Sequence, residues 1–177
     1  MQKKLVLTLS GHDRVGIVDK VTRIVLKHEG NVEASRMARL ESEFAMLMLI
    51  SVSQTMYESL HSGLDLLKGE GYHITMVEVS PDDPNKYHGW LPYKVSVDGA
   101  DHEGIIHTIA HHLADKGINI ESMDTGMMAA PVSGTALFTM TAVVYAPPDQ
   151  PHNKWKEDLQ KIGVDLNVDI DVSAFKA

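Results

Sequence analysis

The fold is decided by LVLTLSGHDRVGIVDKVTRIVLKHEGNVEASRM, Leu5 to Met37, a stretch that returns 88 positions later as YKVSVDGADHEGIIHTIAHHLADKGINIESMDT, Tyr93 to Thr125. The two stretches share six identities, and the apolar positions between them also match. The identities are Gly11/Gly99, Asp13/Asp101, Gly16/Gly104, Ile17/Ile105, Asn31/Asn119 and Glu33/Glu121. Two copies are too few for a solenoid, which needs at least three repeats. Each copy is therefore expected to close a small core of its own.

Apolar spacing predicts the elements of each copy. Leu5, Leu7 and Leu9 alternate with Val6 and Thr8, which is typical of a half-buried strand. Apolar residues then recur every three or four positions, which predicts a helix over 17–28. The elements that follow in the first copy are strands 32–38 and 45–52, helix 56–68 and strand 74–79. The second copy predicts strand 94–97, helix 104–116, strands 119–124 and 135–145, helix 151–162 and strand 166–172, with a long loop over 125–134.

The order β-α-β-β-α-β predicts an α+β chain built from two ferredoxin-like domains in tandem, each with a four-stranded antiparallel sheet and helices on one face. The first domain is expected over residues 1–80 and the second over 93–177. A linker with three prolines, 81–92 together with its flanking serine, joins them. The other face of each sheet is left without helices, so we expect the two copies to dock on each other.

Composition narrows the function. The 177 residues include no cysteine, which excludes disulfides, thiolate metal sites and a cysteine nucleophile. The formal charge of −8 lacks the basic balance of a nucleic-acid or anionic-membrane binder. Neither a signal peptide nor a membrane-spanning apolar run is expected, so the chain is predicted to be cytoplasmic.

A short motif in both copies carries a family resemblance. Asp stands three residues before Gly-Ile at a helix start, as in Asp13-Arg14-Val15-Gly16-Ile17, and Asn31 follows fifteen residues after that glycine. The second copy has the same pattern in Asp101 to Ile105 with Asn119. The motif resembles the ACT domain, a regulatory module that binds amino acids. A pair of such copies is similar to the glycine cleavage system transcriptional repressor group.

The resemblance implies a ligand site in the first strand–helix loop of each ACT domain, where the loop meets a neighbouring domain. Asp13 is suited to accept hydrogen bonds from an ammonium group, and Arg14 and the helix amides to donate to a carboxylate. Gly16 admits close approach of the backbone, and Asn31 offers both a donor and an acceptor. The residues carried over are Gly11, His12, Asp13, Arg14, Gly16, Ile17 and Asn31 in the first copy, and Gly99, Asp101, Gly104 and Asn119 in the second.

Structural roles are the alternative interpretation of the same residues. Asp13 and Asp101 stand where a helix N-cap is wanted, and capping alone would explain an aspartate there. The glycines are equally suited to strand–helix packing, and Asn31 and Asn119 to a left-handed turn that leaves a helix.

Other chemistries find little support in the sequence. His107, His111 and Asp115 recur at helical spacing that is able to ligate a divalent metal, but the buried stripe lies on the opposite side, so we interpret the row as a solvated face. The motifs GxSxG, GxGxxG and the P-loop are all missing. Aromatic residues make up 6% of the chain, too few for an RNA-binding sheet.

The sequence therefore predicts a regulatory protein that is not an enzyme and has neither a cofactor nor a metal. It is expected to bind a small amino acid, with glycine as the leading candidate, and to form homo-oligomers. The resemblance implies that it controls transcription of amino-acid metabolism genes through a DNA-binding regulator protein rather than by direct nucleic-acid contact. The alternative function is a constitutive protein–protein scaffold whose ACT sites are empty.

Overall fold

The computed structural model describes residues 2–79, 87–129, 136–150 and 152–175. The chain divides into two compact units, Met1–Asp82 and Asp83–Ala177, called here the first and second unit. The first half of the predicted linker, 81–86, lies outside the described residues. The end of the linker differs from the prediction, because Leu91 and Pro92 are already part of a strand.

The first unit has the predicted β-α-β-β-α-β order. Its elements are β1 (Gln2–His12), α1 (Ile17–Lys27), β2 (Asn31–Leu40), β3 (Glu43–Ser53), α2 (Tyr57–Asp65) with a 3-10 turn over Leu66–Glu70, and β4 (His73–Glu78). The strands form an antiparallel sheet in the order β2-β3-β1-β4. The two central strands are thus β1 and β3. The last residues of β1 therefore lie in the middle of one end of the sheet, between neighbouring strands on both sides.

The second unit repeats this architecture. Its elements are β5 (Leu91–Ala100), α3 (Ile105–Asp115), β6 (Asn119–Ala129), β7 (Ala136–Ala146), α4 (His152–Asp165) and β8 (Val168–Ala174). The strand order β6-β7-β5-β8 matches that of the first unit. The predicted α+β class, with two ferredoxin-like domains in tandem, is therefore confirmed.

Each unit buries its own apolar core between the sheet and the helices. Leu5, Leu7 and Leu9 of β1 are at most 1% exposed, as the alternating pattern predicts. Val21 and Val25 face them from α1. In the second unit Val95, Val97, Ile109, Leu113, Trp155 and Leu159 form the corresponding core. Two closed cores agree with two domains that arose from a repeated unit.

A β-bulge accounts for one of the repeated identities. The register between β2 and β3 shifts between Val32 and Ala34, and that between β6 and β7 shifts between Ile120 and Ser122. Glu33 and Glu121 are the residues inserted at these two points. In the first unit Lys4 Nζ donates to Glu33 Oε2 at 2.6 Å, so the bulge is tied to β1. A bulge of this kind is a repeated structural feature rather than a defect.

Several predicted boundaries in the second unit are wrong. The first strand spans Leu91–Ala100 rather than 94–97, and the second helix ends at Asp165 rather than at 162. The long loop expected over 125–134 begins later, because β6 continues to Ala129 and pairs with β7 as far as Ala136. The polar residues Asp124 and Thr125 are tolerated in β6 because it is an edge strand. The last strand begins at Val168 rather than Leu166. Asn167 has a left-handed φ of 52°, so the chain is still in the turn after α4 at this residue and becomes extended only after it. The rest of the predicted loop, 130–134, lies outside the described residues.

The sheet faces that the helices leave uncovered differ between the units. In the first unit Val6, Leu47, Leu49 and Val77 lie on that face, and Leu47 and Val77 are 46% and 63% exposed. In the second unit the corresponding face carries carboxylates at Asp98, Asp124, Asp169 and Asp171. Within the described ranges, every helix is too short or too polar to span a lipid bilayer.

Candidate functional site

The strand–helix loop of the first unit begins where β1 ends. Gly11 pairs with Phe44 and His12 with Glu43 at the last positions of the β1–β3 ladder. The Asp13 N–H then donates to the Ser42 carbonyl at 2.8 Å, which fixes the backbone at the start of the loop. In the second unit the Asp101 N–H donates to the Ala136 carbonyl at 3.2 Å. In both units, therefore, the first residue of the loop is an aspartate whose N–H donates to a carbonyl at or just before the start of the neighbouring strand.

The helices that follow are capped by glycine and not by aspartate. Gly16 is the N-cap of α1 with φ 92°, and Gly104 is the N-cap of α3 with φ 94°, both in the left-handed region. Capping by Asp13 and Asp101 is therefore wrong as an explanation, since each stands three residues before the cap. Glycine has no side chain to satisfy the first N–H groups of these helices. In α1 the Ile17 N–H donates to the Arg14 carbonyl at 3.3 Å, and the N–H groups of Val18 and Asp19 stay available to an anion.

The Asp13 side chain is partly exposed and lies in a cationic environment. Its Oδ2 is 3.9 Å from Arg39 Nε, at the edge of ion-pair distance, and the carboxylate retains 39% of its exposure. Next to it, His12 Nδ1 is 3.5 Å from Glu43 Oε1. The acidic group expected to hold an ammonium is therefore accessible, but Arg39 competes for it.

Arg14 is turned toward the far end of the unit's second helix. Its Nη1 donates to the Glu70 carbonyl at 3.2 Å, and its guanidinium lies 5.6 Å from the centre of the Tyr72 ring. Glu70 is itself held by Lys20 of α1, whose Nζ is 2.6 Å from both carboxylate oxygens. One N–H donor of Arg14 is thus used by the main chain. Only the remaining N–H groups of its guanidinium are available to the ligand carboxylate that the sequence predicts.

Gly11 and Gly99 have packing roles. A Cβ at Gly11 would lie 2.8 Å from Cδ1 of Tyr72, and one at Gly99 would lie 2.8 Å from Cα of Val168. Both glycines therefore let β1 or β5 lie close to the first residues of the neighbouring final strand. For these two positions, the structure supports the packing interpretation.

Ile17 and Asn31 lie apart from the loop's accessible surface. Ile17 is 5% exposed and points into the core, so only its backbone is available to a ligand. Asn31 opens β2 and pairs with Ser51, seven positions along β3 from the residue that pairs with Gly11, or about 23 Å away. A separate cleft of about 520 Å³ beside α1 is lined in part by Asn31.

Asn119 is separated from its loop in the same way. It pairs with Tyr145, whereas Gly99 pairs with Phe138 at the other end of β7. Its Oδ1 accepts a hydrogen bond of 3.4 Å from Tyr87. Neither unit brings its asparagine and its loop together around one small ligand.

A cleft at the N-terminus of α3 is the clearest binding geometry in the second unit. It has a volume of about 430 Å³ and includes two of the predicted residues, Asp101 and Gly104. Its other lining residues are His102, Ile105, Ile106, His107 and Phe138. The sequence analysis did not include these residues as site candidates. Alignment of His102 with Arg14 was the signal that could have identified the first of them.

His102 is the most constrained side chain at this cleft. Its Nε2 lies 2.6 Å from the Leu166 carbonyl and its Nδ1 lies 3.0 Å from the Glu103 carbonyl. These two hydrogen bonds raise the pKa of His102, and the nearby Asp101 carboxylate adds to the rise, while partial desolvation opposes it. The cleft therefore has an imidazole with a raised pKa beside the N–H groups at the start of α3.

The histidine row on α3 is solvent-exposed, as expected. The His107 and His111 rings are stacked with centroids 5.9 Å apart, and His111 Nε2 is 3.5 Å from Asp115 Oδ2. All three side chains are exposed. In the part of the chain that the structure describes, no group of three His, Cys, Asp or Glu side chains is placed to hold a metal.

Comparison with known proteins agrees with the two-unit geometry. Residues 3–77, nearly the whole first unit, match the ACT domain family. The glycine cleavage system transcriptional repressors of Escherichia coli (strain K12) and Shigella flexneri are each 36% identical to the chain over 121 residues. That match covers 63% of this chain and 61% of the length of each relative.

Two solved structures resemble the whole chain. An unknown protein from Galdieria sulphuraria is 30% identical, with a TM-score of 0.82 over 99% of this chain and 100% of that one. A candidate glycine cleavage system transcriptional repressor is 24% identical, with a TM-score of 0.69 over 100% and 99% of the two chains. The latter likeness shows a shared fold over both units.

Proposed function

We propose that this chain, whose residues 3–77 match the ACT domain family and which is similar to the glycine cleavage system transcriptional repressor, is a non-catalytic sensor of a small amino acid. Glycine is the ligand we would test first. The protein would control transcription of amino-acid metabolism genes by contacting a DNA-binding regulator protein.

The uncapped helix N-terminus behind each strand–helix loop is the observation that carries this proposal. In the first turn of α1 the N–H groups of Val18 and Asp19 have no main-chain acceptor among the described residues, since only the Ile17 N–H is used, by the Arg14 carbonyl at 3.3 Å. The N–H groups at the start of α3 are open in the same way, and the helix dipole favours a carboxylate at both places. Asp13 and Asp101 stand on the same loops, where a carboxylate is suited to accept from an ammonium. A zwitterion needs both charges to be met within a few ångströms, and these loops supply both.

The second unit has the more developed cleft for such a ligand. Its lining combines the carboxylate of Asp101, the helix start at Gly104 and the apolar surface of Phe138. In the first unit the loop Gly11 to Ile17 supplies the corresponding groups. Asn31 and Asn119 each lie at the far end of their own sheet, so neither belongs to the ligand set proposed for its own loop.

The output is proposed to pass through a protein partner. The net charge of −8 disfavours contact with the phosphate backbone of DNA, so a separate DNA-binding protein would supply that contact. Ligand binding shifts such an interaction only by its different affinity for the competent and incompetent states. A homo-oligomer acting in the cytoplasm is part of the same proposal.

A thermal-shift panel of the twenty amino acids at millimolar concentration, with hits confirmed by calorimetry, tests the proposal. A ligand that binds only the folded state stabilises it by about 2.7 kcal/mol at one hundred times its Kd. We expect a selective shift with glycine or a close relative, and a loss of that shift in Asp13→Asn and Asp101→Asn combined. Asp115→Asn, an exposed site on the outer side of α3, is the matched control and should keep it. The absence of any shift at saturating concentrations would refute amino-acid sensing.

The uncovered face of the first sheet favours the alternative, a constitutive protein–protein scaffold. Leu47 and Val77 are exposed there beside Val6 and Leu49, and such apolar patches mark interaction surfaces. A scaffold would bind its partner equally well with and without amino acids. A sensor would change that affinity, so partner binding measured at zero and saturating glycine separates the two functions.

A further inference from the structure

The two units make the same contact with different chemistry. Arg14 and His102 occupy equivalent positions in the repeat, and each donates to a main-chain carbonyl at the end of its unit's second helical segment. The acceptors are Glu70 and Leu166. Each acceptor is followed directly by a residue with left-handed φ, Gly71 at 93° and Asn167 at 52°. The strand–helix loop is thus tied to the turn before the final strand in both units.

The two contacts of His102 are both hydrogen bonds only when the ring is doubly protonated. Both ring nitrogens face carbonyl oxygens, that of Leu166 at 2.6 Å and that of Glu103 at 3.0 Å. A carbonyl oxygen only accepts, so both nitrogens must donate. A neutral imidazole has one N–H and would turn a lone pair toward one of the two oxygens. At 2.6 Å the contact with Leu166 is the shorter of the two, and a charged donor shortens an N–H···O hydrogen bond.

We propose that His102 is a proton-dependent latch that ties the β5–α3 loop to the end of α4 when protonated and releases it when neutral. Arg14 makes the equivalent contact in the first unit and stays charged across the physiological range. The His102 contact therefore depends on pH and the Arg14 contact does not. The consequence for ligand affinity rests on the proposed amino-acid site, whereas the latch itself does not.

The ionisable groups around His102 are few. Asp101 and Glu103 flank it on its own loop, His107 lines the same cleft from α3, and Asp165 precedes the acceptor residue at the end of α4. From β7 the cleft receives the uncharged ring of Phe138. The Asp101 carboxylate favours the imidazolium, and a protonated His107 would oppose it.

Among the described residues of the second unit, no ion pair corresponds to the additional connection of the first unit. The Lys20–Glu70 ion pair links α1 to the same turn that Arg14 contacts. Thr108 stands at the position equivalent to Lys20, and Leu166 supplies only its carbonyl. Loss of the His102 proton therefore removes a connection for which the second unit has no equivalent ion pair.

The direction of the pH dependence follows from the raised pKa. A group whose pKa is higher in the folded than in the unfolded chain stabilises the fold fully below its unfolded pKa, about 6.5 for histidine. That contribution is lost as the pH rises through the folded pKa. The latch is therefore closed in mildly acidic solution and opens toward neutral and alkaline pH.

Titration of His102 in the full chain by NMR, without ligand, tests the latch. We expect a pKa above about 6.5, with the backbone amides of Gly104 and Asn167 shifting at the same midpoint. His102→Gln should remove this titration and identify its signal. His111→Gln, on the outer side of the same helix, should leave it unchanged. A pKa at or below the unfolded value, or loop amides that do not follow the ring, would overturn the latch.

Exchange of the two side chains between the units sharpens the test. His102→Arg should keep the second loop tied and abolish its titration. Arg14→His should introduce a titration at Gly71 and Gly16 in the first unit. If the amides of Gly71 and Gly16 do not shift with pH in Arg14→His, a histidine at this position does not control the loop, and the latch is refuted.

Calorimetry with glycine at pH 6 and pH 8.5 separates the latch from amino-acid sensing. We expect the weaker affinity at pH 8.5 in the natural chain and no such loss in His102→Arg. Equal affinities at both pH values in the natural chain would overturn the coupling between latch and ligand while leaving sensing intact. No glycine binding at either pH, together with a raised His102 pKa, would count against glycine sensing and support the latch alone.

Discussion

Arg14 and His102 stand at equivalent positions of the two units, and each holds a strand–helix loop to the carbonyl that precedes the final strand. The contact differs in its dependence on pH, since a guanidinium keeps its proton and an imidazolium does not. It also differs in its support, because Lys20 and Glu70 reinforce the first unit only. The repeated backbone thus places the contact at the same point in both units. The side chain, arginine or histidine, determines whether the contact depends on pH.

Gly99→Ala should have the largest effect on this comparison, and it should fall on the second unit. A Cβ at Gly99 would lie 2.7 Å from Cγ1 and 2.8 Å from Cα of Val168, so the backbone of β8 would have to shift. We expect a loss of about 2 to 3 kcal/mol in the free energy of unfolding, the upper part of the range for overpacking. Tryptophan fluorescence during denaturation measures it, because Trp90 and Trp155 both lie in the second unit.

Gly11→Ala is the matched control in the first unit. Its nearest obstacle is Cδ1 of Tyr72, at 2.8 Å, which belongs to a side chain that is able to rotate. The φ of 158° at Gly11 adds a backbone penalty that Gly99 does not carry, so the loss should be only a little smaller, about 2 kcal/mol, with little change in the fluorescence transition of the second unit. A larger loss in Gly11→Ala than in Gly99→Ala would mean that the backbone penalty outweighs the difference in packing.

Gly16→Ala and Gly104→Ala should have a smaller effect of equal size in the two units. Both residues have φ near 90°, and a Cβ at either would meet no atom within 4 Å, so the penalty is one of backbone conformation alone. We expect about 1 to 2 kcal/mol for each alanine from denaturation followed by circular dichroism. Asparagine tolerates left-handed φ better and should restore part of the loss. Clearly unequal losses would show that the two helix starts are not equivalent.

The repeat explains why the fold could be predicted from the sequence. The period-two pattern of Leu5, Leu7 and Leu9 and the helical spacing of Val21 and Val25 report burial, and burial fixes the faces of strands and helices. Such patterns do not report how far an edge strand extends. For this reason β6 was predicted to end at Asp124, although its backbone pairing continues to Ala129.

The candidate site was less accessible to sequence reasoning. The sequence favoured Asp13 as the N-cap of the first helix. In the structure the N-cap is Gly16, with left-handed φ, three residues after Asp13. Sequence order likewise groups Asn31 with the loop, whereas the β2–β3 register carries it to the opposite end of the sheet. The partner of His102, the Leu166 carbonyl, is a main-chain group 64 residues away in sequence. Every residue carries such a carbonyl, so the sequence pattern does not predict this contact.

Lys20→Met should have the smallest effect, and it tests the support that distinguishes the first unit. The ion pair with Glu70 is about half exposed, so its removal should cost about 0.5 kcal/mol at low salt and less at high salt. A double-mutant cycle with Glu70→Gln, followed by circular dichroism at two salt concentrations, isolates the pairwise free energy. A coupling free energy of zero would mean that Arg14 alone holds the turn, and the two loops would then differ only in the ionisation of one side chain.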